Sequence, residues 1–256
     1  MTMKVQVFDI RNYPPREQIQ IGSTLINVPS VYTGRGVTAV FPVSSKKAAE
    51  FINSDYIMPT ILWPGRAAVV VTIFDFHTSP VGPYSELVYS IPVLRKSLVN
   101  LPFIPMVFNK YFSSFGVFVV DIMQSTKIAV EHGNILTGYP HSNELVEVKF
   151  NNSNDECCAR VYSKSDEVLS LRTTNLRGKS SKVFRKYRTY FKRNNRTFQI
   201  RMDIYGTEQK TGRFRLELAQ GKLTDVLRGF NISHDSLEGL YYNDVTEVNP
   251  VTLESL

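Results

Sequence analysis

The chain has 256 residues, 43% of them hydrophobic, and a net charge of +7. That is enough apolar chain to bury a real core in one large domain or two small ones, while no apolar run reaches the roughly 20 residues of a membrane span. The two cysteines, Cys157 and Cys158, are neighbours; they make no disulfide framework and no zinc spacing, and two free thiols suit a reducing compartment.

The first 30 residues are broken by polar residues and prolines, with no apolar stretch of signal-peptide length. A soluble, cytoplasmic protein is the expectation. Val37 to Val43 predicts a strand. Ser44 then stands as an N-cap before Ser45-Lys46-Lys47-Ala48-Ala49-Glu50-Phe51-Ile52, a helix that Asp55 to Pro59 should end. Ala67 to Phe76 is almost wholly apolar and rich in β-branched and aromatic residues, the pattern of a strand buried on both faces. His77 to Pro83 reads as a turn and Tyr84 to Val93 as the returning strand of a hairpin. The stretch 95–115 is proline-rich and looks like an insertion. Phe115 to Ile122 is a further buried strand, and 126–141 leads to a turn at Gly138-Tyr139-Pro140-His141.

Leu145 to Phe150 alternates apolar and charged residues, as a half-exposed strand should. Cys157 to Tyr162 and Val168 to Leu171 predict two short strands. Thr197 to Tyr205 and Arg213 to Leu218 read as an antiparallel pair around a turn holding Gly206 and Gly212. Lys222 to Gly229 is a short strand or helical turn, and Leu240 to Val248 a last strand. With no repeat and no linker, residues 1–256 are expected to form a single domain. The fold class is mainly β with minor helices, an antiparallel barrel-like sheet.

The segment Asp75-Phe76-His77-Thr78-Ser79-Pro80-Val81-Gly82-Pro83-Tyr84-Ser85-Glu86, with Ser90-Ile91-Pro92-Val93 behind it and Gly133-Asn134-Ile135-Leu136-Thr137-Gly138-Tyr139-Pro140-His141 further on, resembles the acetoacetate decarboxylase family. The similarity covers about residues 30–250. It implies that family's barrel-like fold, with Glu86 as acid or base in a pocket for a small keto acid or related organic acid. It places His141 where the family has the lysine that forms a Schiff base, so imine chemistry is expected to be absent. Ser142 stands where many members have a second lysine, Asn134-Ile135 replaces an arginine-glutamate pair, and Val71 falls at a carboxylate. Tyr84 and Tyr139 are candidate ligand-binding residues. Arg35, one step from the family's arginine position, is a candidate for the ligand's carboxylate.

No cofactor and no metal are expected, although His141, Glu86 and His77 are normal ligand types. His132 and His234 read as surface residues. Two alternatives stay open: a working lyase using Lys127 or Lys149, and a non-enzymatic carrier or sensor. The stretch 172–201 has eleven cations and no acid; interleaved with Phe and Tyr, it could hold an anionic polymer. Without a nucleic-acid-binding signature elsewhere, a solvated face or a homo-oligomer contact is the expected use.

Overall fold

The computed structural model describes residues 8–96, 102–103, 115–153, 155–178 and 183–256. The stretch expected as an insertion, 95–115, lies mostly outside them. In chain order come the strands β1 (Glu17–Ile21), β2 (Thr24–Val28) and β3 (Ser30–Ser44), helix α1 (Ser45–Ile52), then β4 (Ile57–Pro59), β5 (Ile61–Trp63), β6 (Arg66–Thr78), β7 (Tyr84–Arg95) and β8 (Gly116–Gln124). Helix α2 (Lys127–Leu136) precedes β9 (Glu147–Asn152), β10 (Cys157–Ser163), β11 (Asp166–Thr173), β12 (Val183–Arg193), β13 (Arg196–Gly212) and β14 (Arg215–Leu218). Helix α3 (Lys222–Gly229) and strand β15 (Glu238–Ser255) complete the chain.

Seven strands close a barrel in the order β3, β6, β7, β8, β12, β13, β15 and back to β3. Six of the seven junctions are antiparallel. The seventh, β8 to β12, is parallel, with Thr189 beside Val117 and Tyr190 beside Phe118. The barrel is therefore mixed but mainly antiparallel, the barrel-like β architecture that the sequence suggested. A parallel neighbour needs a long crossover, and the chain makes it through α2 and the second sheet. That sheet has four strands in the order β14, β11, β10, β9 and packs against the outside of the barrel.

The main core lies between the two layers. Val37, Ala39 and Phe41 of β3, Val69, Val71 and Ile73 of β6, and Leu87 and Tyr89 of β7 meet Ala159, Val161, Leu169, Leu171 and Leu216 of the second sheet. The intervening residues of β6, Val70, Thr72 and Phe74, face the barrel interior. Period-two alternation on a strand buried on both sides accounts for its apolar run. Ser44 caps α1 as its sequence implied, its Oγ accepting from the Lys47 amide.

One expectation is corrected. Thr197–Tyr205 and Arg213–Leu218 do not pair with each other. Strand β13 runs on through Gly206 to Gly212 between β12 and β15, while β14 joins β11. Gly206 was read as a turn, but it gives room for the Tyr242 ring: a Cβ there would sit 3.0 Å from Tyr242 Cδ1. The basic stretch is built into the barrel through β12, whose Tyr190 and Phe191 are buried while Lys186, Arg193 and Arg196 are exposed. The stretch Lys222–Gly229 is helical, with Leu223 and Leu227 buried one turn apart.

Candidate functional site

The barrel encloses a cavity of about 140 Å³. Strand β7 turns Tyr84, Glu86, Val88 and Ser90 into it, every second residue. On β8 the inward residues change parity, from Val117 and Val119 to Ile122 and Gln124. The register against β7 slips there, Tyr89 facing Asp121 but Ser90 facing Val119, so one bulged residue re-aims the rest of the strand. Strand β15 does the same. Its register slips between Tyr242 and Val245, and the inward set passes from Tyr242 to Glu247 and Asn249.

Helix α2 contributes His132, Gly133 and Leu136 to the cavity wall. Thr126 starts it, its hydroxyl accepting from the Ala129 amide. It ends in Gly138 at φ 71°, the left-handed conformation that glycine takes without strain. The amides of Thr137 and Gly138 both return to the Gly133 carbonyl. Tyr139, Pro140 and His141 follow and are fastened to β8, Ile122 N donating to Pro140 O at 3.0 Å and Ser142 N to Ile122 O at 2.9 Å. The His141 ring rests on Gly133, where a Cβ would lie 2.4 Å from Cε1 and 2.5 Å from Nε2.

Two carboxyl groups share this enclosed space. Glu86 Oε2 accepts from Gln124 Nε2 at 2.8 Å and from the Tyr84 hydroxyl at 3.5 Å. Burial nonetheless pushes its pKa up to about 7, with those two bonds opposing. Glu247 is 6% exposed. Burial first, then the charge of Glu86, push it up to about 8, against one bond from Asn249 Nδ2 at 3.3 Å. His132 and His141 go the other way, burial lowering each to about 4. Both nitrogens of His141, Nε2 of His132 and the amide oxygens of Gln124 and Asn249 are buried without hydrogen-bond partners among the described residues. Tyr139 is buried and its hydroxyl bonds Thr189 of β12. Among the described residues no lysine or arginine lines the cavity. Near neutral pH it is thus a wall of uncharged or half-ionised acids, neutral imidazoles and phenols in an apolar frame.

Of the residues singled out from sequence, Glu86, His141, Tyr84 and Tyr139 come together around this cavity. Arg35 does not line it; its guanidinium bonds Asp75 at 2.9 and 3.0 Å and lies over the Phe150 ring. His77 is exposed beside Asp75, so it does not join Glu86 and His141. Lys127 is exposed at the start of α2, and Lys149 is exposed beside Glu147 on β9. His132, read as a surface residue, is 2% exposed and faces inward. Its place on α2 was hidden because the stretch 126–141 was not recognised as a helix. Glu247, Gln124 and Asn249 were missed. A Glu and an Asn two apart on either side of Val248 were the available signal, and the bulges on β8 and β15 broke the alternation that would have aimed them.

No protein-family model matches the sequence, and no curated protein matches it either. Solved structures do match by shape. An acetoacetate decarboxylase superposes with a TM-score of 0.64 at 13% identity, over 89% of this chain and 89% of that one. The acetoacetate decarboxylase of Legionella pneumophila gives 0.62 at 12% identity over 100% and 98%. The enduracididine biosynthesis enzyme MppR, bound to the condensation product of pyruvate and imidazole 4-carboxaldehyde, gives 0.60 at 10% identity over 89% and 88%. At these identities the likeness concerns the fold, and the fold of this chain is that of acetoacetate decarboxylase, a closed seven-stranded mixed barrel.

Proposed function

We propose that the barrel cavity binds a small carbonyl compound of the keto-acid type and acts on it by proton transfer, without forming an imine. The observation that carries this is Glu86, held up to about 7 inside a cavity with no lysine among its described lining residues. A general acid or base works best with a pKa near the working pH, and an imine needs an amine, which none of the described lining residues supplies. Pyruvate is bound in one of the solved MppR structures, which suggests the ligand class. The ligand's carboxylate needs a cation. Arg185 does not itself line the cavity, but it stands half-buried on the same side of β12 as the cavity residues Tyr187 and Thr189 and interacts electrostatically with Tyr187 and Tyr242. We assign it that role in place of Arg35.

The test is deuterium exchange. Pyruvate in D₂O is followed by proton NMR with and without the protein. Exchange of its methyl protons above the buffer rate, lost in Glu86→Gln, supports proton transfer. Saturable binding of pyruvate with no exchange identifies a carrier instead. A stable adduct with borohydride on any lysine overturns the imine-free reading.

A further inference from the structure

We propose that Glu247 is the hydrogen-bond-donating acid of this cavity, holding the ligand's carbonyl oxygen while Glu86 moves the proton. The inference rests on the reading of the cavity as a site for a carbonyl compound and assigns a role to the one carboxyl group that reading leaves unused.

The two acids reach the cavity from opposite parts of the barrel sequence, Glu86 from β7 and Glu247 from β15. Each is engaged by a neighbouring amide, which fixes different demands. Glu86 Oε2 takes two donors, Gln124 and Tyr84, and donors favour the ionised form. Glu247 takes only one among the described residues, Asn249 on Oε1 at 3.3 Å, and feels the charge of Glu86. Of the pair, Glu86 loses its proton first and Glu247 keeps it. Two carboxyl groups whose surroundings hold them apart divide into a base and an acid. The groups facing them do not reverse this order. Tyr32 and Tyr84 are buried phenols held well above their ordinary values, Tyr139 is shifted the same way, and His132 and His141 are neutral.

The proton balance closes without another reactant. Ionised Glu86 takes a proton from the carbon beside the carbonyl. The C–H electron pair becomes the C=C bond of an enolate, and the carbonyl π pair moves to oxygen. The Glu247 O–H donates to that oxygen, where negative charge develops. In a closed site a preformed donor to such an oxygen contributes about 10²–10³-fold in rate. Returning the proton, or a deuteron, to carbon completes the exchange. Glu247 thereby supports non-covalently the charge that an iminium would otherwise absorb.

The experiment measures pyruvate methyl exchange against pH. Wild type should show a bell, rising as Glu86 ionises and falling as Glu247 does. Glu247→Gln keeps a weaker N–H donor that does not titrate. Its exchange should fall at least 10-fold, its alkaline limb should vanish, and its pyruvate Kd should stay within a few-fold. Wild-type exchange with the alkaline limb intact in Glu247→Gln overturns the proposal, while loss of exchange in Glu86→Gln would leave the proposed function standing. A wild-type protein that neither binds pyruvate nor exchanges its protons overturns both. Infrared difference spectra of wild type guard against misfolding of the variant. Adding pyruvate at neutral pH should shift the band of a protonated carboxyl group, and an unshifted band also overturns the proposal.

Discussion

At position 141 the imidazole is half-buried, with both nitrogens buried and unpartnered among the described residues, in a cavity holding two carboxyl groups. The consequence for a lysine placed there is specific. Burial would lower the amine pKa, but Glu86 and Glu247 would favour the ammonium and oppose the shift. His141→Lys alone should therefore trap little imine with acetone and borohydride at neutral pH, read by mass spectrometry. His141→Lys with Glu247→Gln removes one acid and should trap several-fold more; equal yields would place the carboxyl of Glu247 out of reach of residue 141. Arg185 supports a second prediction at this scale. Arg185→Gln should raise the Kd of pyruvate about 10-fold, the worth of one charge-assisted hydrogen bond, and leave that of acetone within two-fold. Lys186 is exposed on the opposite side of the same strand, and Lys186→Gln should change neither.

Helix α2 is the element that closes the site, and Gly133 is where it meets the turn. Substituting alanine for glycine inside a helix ordinarily stabilises by about 1 kcal/mol. Here a Cβ would enter the His141 ring, at 2.4 Å from Cε1. That ring is held by the backbone bonds that fasten residues 140 and 142 to Ile122, so it cannot simply move aside. Overpacking of this kind costs about 1–3 kcal/mol, and the clash should win. Urea unfolding of Gly133→Ala should show a net loss. In Gly133→Ala with His141→Ala the loss should turn into a gain, because the obstructing ring is gone; two additive effects would show that ring and helix are not in contact.

Across the whole molecule, four groups of the cavity wall, Glu86, Glu247, His132 and His141, together with Asp121, which burial raises to about 6, make stability depend on pH in opposing directions. The two glutamates, raised to about 7 and 8, hold protons in the folded state that the unfolded chain has already released, so they lose stability as pH rises from the ordinary carboxylate range up to those values. His132 and His141, lowered to about 4, remain neutral while the unfolded chain takes up protons, so they gain stability as pH rises from about 4 toward the ordinary histidine range. From about pH 4.5 to 6 Asp121 tips the balance toward the acids and stability declines; only from about 6 to the histidine range do the contributions cancel. Above the histidine range only the acids act. On these groups stability should be highest near pH 4–5 and decline from there, losing about 2 kcal/mol between the histidine range and pH 8. Urea midpoints across pH measure it, and Glu247→Gln should flatten the alkaline decline.

Local regularity was legible in the residues themselves. The doubly buried run of β6, the tight hairpin to Glu86, the capped helix at Ser44 and the turn at Gly138 each follow from short-range chemistry: side-chain alternation, a capping hydroxyl, a glycine in a left-handed bend. What joins distant segments was not. The parallel seam between β8 and β12, the transfer of β14 to the second sheet and the inward aim of Glu247 depend on pairings between residues far apart in the chain. The bulges on β8 and β15 belong to the same class, since a bulge exists only relative to the partner strand. The resemblance around Tyr84-Ser85-Glu86 could point to Glu86. One slipped residue inverts the face of every residue after it, so strand alternation could not bring Glu247, His132 and Asn249 to the same cavity. That convergence was decided by closure of the barrel.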